Sequence, residues 1–110
     1  MNRRGYVYWN NDLAGEIRET DTGYEFAYDH AWLNSPNAQP VSLTLPLRPE
    51  PYTSQTMFPF FDGLIPEGWL LSVTAKTWKV DSRDRMGLLL AACRDPIGAV
   101  SIRAVEMKAE

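Results

Sequence analysis

The stretch FPFFDGLIPEGW, Phe58 to Trp69, constrains this chain more than any other. Pro59, Gly63, Pro66 and Gly68 interrupt it at short intervals. Proline inside a helix removes a backbone donor and clashes with the preceding turn, and glycine adds backbone freedom, so no single helix runs through. Yet Phe58, Phe60, Phe61, Leu64 and Ile65 call for burial. The stretch therefore predicts a bent aromatic segment between two kinds of architecture.

Upstream of it the pattern is that of strands. Tyr6–Trp9 is aromatic and β-branched. Asn10–Asp12 is turn chemistry, because Asn and Asp tolerate left-handed backbone. In LAGEIRE, Leu13, Gly15 and Ile17 share a side, and Thr20–Gly23 is a second turn. Tyr24, Phe26 and Tyr28 then alternate onto one face. These three runs predict antiparallel strands joined by tight turns. Asp29–Pro40 predicts a loop with one helical turn over Ala31–Asn34. In VSLTLPL, Val41, Leu43, Leu45 and Leu47 alternate, which predicts a short strand, with Pro46 placing its end at a sheet edge. Arg48–Gln55 predicts an exposed loop.

Downstream the pattern turns helical. Thr56 is placed to cap a short helix over Met57–Leu64, with Pro59 in its first turn. Pro66-Glu67-Gly68 opens a second helix to about Lys79. Asp81 or Ser82 caps a third, running to about Cys93. In that helix Met86, Leu89, Leu90 and Cys93 fall at the spacing of a core stripe. Ala99–Val105 alternates as a closing strand. The fold class is α+β: a mostly antiparallel sheet, a helical second half packed on it, and a closing C-terminal strand. The 110 residues form a single domain, 1–110.

Charge and cysteine usage narrow the function. The net charge of -3 argues against a nucleic-acid binder, which carries a basic patch. One cysteine, Cys93, permits no internal disulfide and no multi-cysteine metal site. The opening MNRRGYVYWNND has no apolar core of a signal peptide. The apolar run MGLLLAAC is too short to span a bilayer. These features predict a cytoplasmic protein that does not engage a membrane.

Enzyme signatures are missing from the sequence. It contains no phosphate-binding glycine loop, no nucleophile elbow and no HExxH. The sole histidine, His30, follows Asp29, but no serine or cysteine stands in a nucleophile's context. Asp62 and Glu67 form no recognisable carboxylate pair, and acids near a helix start ordinarily serve its dipole. The expectation is a non-enzyme with no catalytic residues, no metal and no cofactor.

Helical phasing singles out two tryptophans. At roughly 100° per residue, Leu71, Ala75 and Trp78 stack on one side of the second helix, and Trp69 falls about 160° away. Trp78 is thus assigned to the core. Trp69 is assigned either to a partner surface, where tryptophan is a frequent hot spot, or to covering the loop Ile65–Gly68 or packing on another element. Phe58, Phe61 and Leu64 are predicted to support the bent segment from beneath. Ile65, Pro66 and Glu67 are predicted to turn outward at the proline–glycine break and form a partner-facing edge with Trp69.

Three motifs in order carry a family resemblance: PVSLTLPLRPEPY, PFFDGLIPEGW and LLLAACRDPIGAVSI. They resemble the N-terminal subdomain of the HipA-type serine/threonine kinases. Ser42, Leu43 and Leu45–Leu47 match its SLSLPL-like strand. Phe60–Asp62, Leu64 and Pro66–Gly68 match its FFDNLLPEG-like segment. Arg94, Asp95, Gly98 and Ala99 match its turn before the last strand, although Cys93 and Pro96 depart from that motif. The sequence stops at Glu110, where the long kinases continue into a catalytic body. The resemblance implies a small antitoxin of a three-part HipBST toxin–antitoxin system, binding and inhibiting a HipT-like kinase near its active site. It further implies a HipB-like DNA-binding protein in the same complex, with no direct contact between this chain and nucleic acid. One alternative is an excised N-terminal subdomain of a HipA-type kinase, which the start at Met1 and the charged end disfavour. Another is a small β-rich nucleic-acid-binding module using Tyr6, Trp9 and Tyr24 to stack bases.

Overall fold

The computed structural model describes residues 3–65, 76, 81, 83–92 and 99–105. Its first half follows from two tight turns. Strand β1 (Arg4–Trp9) turns into β2 (Asp12–Thr20) through Asn10, whose φ of 54° is the left-handed geometry that asparagine tolerates. A second turn leads into β3 (Gly23–Tyr28). All three pair antiparallel, with a register shift between Val7 and Tyr8.

The sheet is completed by two strands from elsewhere. A short strand β4 (Tyr52–Ser54) adds to β3, and β5 (Val100–Ala104) adds to β1. The order is β4-β3-β2-β1-β5, antiparallel throughout. With its few helices this is a mixed α+β fold dominated by sheet. Helix α1 is a single turn (His30–Leu33), α2 another (Pro59–Asp62), and α3 runs Arg85–Ala92.

One face of the sheet carries the core. Val7, Ile17, Phe26, Tyr28 and Ile102 are buried there with Trp32, Phe61, Met86, Leu88 and Leu89. Two glycines permit close approaches. A Cβ at Gly5 would lie 2.7 Å from a Leu90 methyl of α3, and one at Gly23 would lie 2.1 Å from the Ser54 carbonyl oxygen of β4. The other face bears Tyr6, Arg18, Glu25 and Arg103, with Arg18 paired to Glu25 and Arg103 over the Tyr8 ring.

Three sequence expectations need correction. Val41–Leu47 is not a strand. Ser42 and Leu45 form an isolated bridge around a tight turn, so Val41 and Leu45 are buried while Leu43 is 94% exposed. The alternation was real but the backbone doubles back, and the edge strand is Tyr52–Ser54, inside the stretch expected to be loop. Thr56 does not cap α2. The residue before a proline is disfavoured in helical geometry, so Phe58 stays extended (ψ 133°) and the helix starts at Pro59. Asp84, not Asp81, caps α3, and Ser82 lies outside the described residues. The Asp84 carboxylate accepts the Gly87 N–H at 3.1 Å, and the Asp84 carbonyl accepts from Leu88. Asp81 instead organises the preceding turn, accepting from Arg83 and Asp84. Of the predicted second helix only Lys76 is described, and it is helical; Cys93 lies outside the described residues.

Candidate docking site

The bent aromatic segment is built on Phe61. Its side chain is wholly buried, with ring centroids 5.2 Å from Phe26, 6.1 Å from Phe58 and 5.1 Å from Phe60. Edge-on and tilted arrangements of this kind suit the quadrupoles of the rings. Phe58 is buried beside it, and Leu64 is half-buried against the same core. Asp62 closes the segment onto α3 through a 2.6 Å ion pair with Arg85.

Ile65 departs from expectation. It does not turn outward: it is 3% exposed. The winding of α2 continues past Gly63, because Leu64 N–H donates to Phe61 and Ile65 N–H to Asp62. These three-residue bonds tighten the end of the helix in the 3₁₀ manner and keep Ile65 turned toward the core. Pro66, Glu67, Trp69 and Trp78, the other residues assigned to the edge and its support, lie outside the described residues.

A second rigid feature was not visible in the sequence. The Tyr28 hydroxyl is buried between two backbone groups, accepting the Val41 N–H at 3.0 Å and donating to the Leu45 carbonyl. Burial pushes its pKa up to about 12, against the opposing pull of the Val41 N–H. Leu45 N–H donates to Ser42 at 3.0 Å, and the Ser42 hydroxyl accepts from the Thr44 N–H. Tyr52 adds a bond from its hydroxyl to the Pro46 carbonyl at 2.7 Å, with the Arg48 guanidinium 3.6 Å above its ring. Nothing in the pattern of VSLTLPL reveals a tyrosine hydroxyl reaching it from β3. Only the inward phase of Tyr28, with its polar tip, hinted that a buried partner was needed.

Charge ties the ends of the domain together. Arg3 forks between Glu19 on β2 (2.8 Å) and Asp84 at the start of α3 (2.7 Å). Hydrogen bonding to Arg3 holds both carboxyls below their ordinary range, and the arginine's own pKa is raised by the same bonds. No motif marked this network in the sequence.

The other chemistry weighed from sequence is not assembled. Asp29 gives its carboxylate to the Ala31 N–H as the cap of α1, and His30 is exposed, with its ring near Asn34. Asp62 is engaged with Arg85. Of the aromatics offered for base stacking, Tyr6 lies on the open face, but Trp9 and Tyr24 pack against the core. No helix among the described residues is long and apolar enough to cross a membrane.

Fold and site together define a small two-layer α+β domain with rigid, core-anchored surface segments. The chain belongs to the HipA N-terminal domain family, whose description matches residues 5–103. It is similar to an uncharacterized protein of Haemophilus influenzae, 35% identical over 103 residues and 92% of each chain. It is also similar to a putative kinase, Y4mE, of Sinorhizobium fredii, 36% identical over 99 residues. That match takes in 87% of this chain but 23% of the kinase. Among solved structures it resembles the N-terminal domain of HipA toxin, with a TM-score of 0.69 and 30% identity, over 96% of this chain and 95% of the other.

Proposed function

We propose that this protein is a non-catalytic antitoxin of the HipS type, which binds a HipT-like kinase in the bacterial cytoplasm and holds it inactive by contact near its active site. The observation that carries this reading is the size of the matched unit. A stretch equivalent to nearly all of this chain is 23% of the Sinorhizobium fredii putative kinase, while the Haemophilus influenzae relative is matched over 92% of its length. The same domain thus occurs joined to a larger chain and as the bulk of a small one. A domain joined to a kinase body in one setting would carry a surface suited to bind such a body in the other. A HipB-like DNA-binding protein completes the proposed complex, and this chain contributes no nucleic-acid contact. The second reading, an excised N-terminal domain of a long kinase, draws on the same match to the putative kinase.

Rescue of cells expressing a HipT-like kinase tests the proposal. Co-expression should restore growth, and the isolated chain should show no saturable ATP binding in calorimetry. Growth arrest that persists despite a soluble, folded chain would refute the antitoxin role. The contact itself is assigned to Trp69. Removing a buried interface tryptophan costs about 2 kcal/mol or more, near thirtyfold in affinity. Trp69→Ala should therefore melt normally and fail to rescue, whereas Trp78→Ala should melt early. Full rescue by Trp69→Ala would remove Trp69 from the interface.

A further inference from the structure

Leu43 stands apart among the described residues: it is 94% exposed, between Val41 at 5% and Leu45 at 4%. Lone exposed leucines are ordinary on protein surfaces. What distinguishes this one is the rigidity of its support. The turn that lifts it into solvent is fastened on both sides by one buried hydroxyl, that of Tyr28, which bonds Val41 N–H and Leu45 C=O. The Ser42–Leu45 backbone bond and the Ser42–Thr44 hydroxyl contact close the turn between those fastenings. A loose loop could fold its leucine back onto the core, and this turn is held from doing so.

We infer that the Ser42–Leu45 turn is a docking knob, with Leu43 inserting into an apolar socket of polar rim on the partner kinase. The inference rests on the antitoxin reading and extends it to a second contact, distinct from Trp69. The shape names the socket: an apolar tip on a neck of two hydroxyls, Ser42 and Thr44, matches an interface whose centre is dry and whose rim is hydrogen-bonded. The occupant is taken to be the kinase body because, in the Sinorhizobium fredii putative kinase, the matched region is joined to a further 77% of the chain (100 less 23). Holding the knob in place before binding removes the entropy cost of ordering it on contact.

The test measures affinity of the full chain for a purified HipT-like kinase from the same genome, by titration calorimetry, with melting curves of each variant. Leu43→Ser should melt like the unsubstituted protein and bind at least about tenfold more weakly, and Leu43→Met should bind normally. Equal affinity of Leu43→Ser would overturn the knob while leaving the antitoxin reading in place. No binding by the unsubstituted chain would overturn both. A lowered melting point in Leu43→Ser would assign the side chain to the fold and overturn the knob. So would self-association of the chain that Leu43→Ser abolishes, because the socket would then lie on a second copy.

Discussion

The β1–β3 meander and the Val41–Ser54 segment have similar alternating patterns and opposite outcomes. In the meander, each strand finds its partner across a turn of two residues, and inward phase coincides with burial at Val7, Ile17, Phe26 and Tyr28. In the second segment, Val41, Leu43, Leu45 and Leu47 alternate equally well, but Val41 and Leu45 bond a distant tyrosine hydroxyl instead of a neighbouring strand. The chain doubles back, and pairing with the sheet is delayed to Tyr52–Ser54. Alternation reports which residues want burial. Whether a strand results depends on where the backbone donors and acceptors can be satisfied.

The most severe test is to remove what the meander and the bent aromatic segment both lean on. Phe61 touches Phe26 of the meander and Phe58 of the bent segment. Phe61→Ala should lower stability by about 3–5 kcal/mol in denaturant melts. Amide exchange should show β2 and β3 losing protection along with the rest of the core. If the meander kept its protection while the bent segment opened, the two regions would be separate folding units.

A gentler change addresses the second region alone. Tyr28→Phe keeps the ring, 4.9 Å from Phe26, and removes the hydroxyl that fastens Val41 and Leu45. Leaving two backbone groups without that bond should cost about 1–3 kcal/mol. Exchange should quicken at the Val41 amide while β2–β3 amides respond only through the global loss. The titration supplies an independent check. A tyrosine pKa raised in the folded state contributes stability that is full below the unfolded value, about 10, and lost as pH rises toward about 12. The variant should therefore lose less stability than the parent over that alkaline window. An identical alkaline loss would show that the hydroxyl is not buried as described.

What was legible in the sequence follows the same division. The three-strand meander, the helical turn after Asp29, the closing strand and the core positions Met86 and Leu89 could be read because local periodicity decided them. The turn at Leu43 and the strand at Tyr52 could not, because each depends on a partner far along the chain. Ile65 was misread for a subtler reason: Gly63 and Pro66 suggested a break, but continued hydrogen bonding carried the winding through. The Arg3 network was invisible, since Arg3, Glu19 and Asp84 meet only once β2 and α3 are in place.

That network gives the smallest expected effect and the test of whether the two halves are joined by charge. Arg3 connects the meander, through Glu19, to the start of α3, through Asp84. Its side chain is 42% exposed, so the pairs are screened by solvent, and Arg3→Gln should cost within about 1 kcal/mol at pH 7. Both carboxyls are held below their ordinary range in the folded state, chiefly by hydrogen bonds to Arg3. Their contribution is present above the unfolded carboxylate range, about pH 4, and is lost as pH falls through the depressed folded values. The gap between parent and Arg3→Gln should therefore be widest at neutral pH, narrow with added salt, and close in acid as protonation removes the charges Arg3 pairs with. Denaturant melts of both proteins at pH 7 and in acid decide the matter. A gap that stays constant across that range would attribute the loss to the packing of the arginine stem, and would leave the sheet and α3 held together by their apolar contact alone.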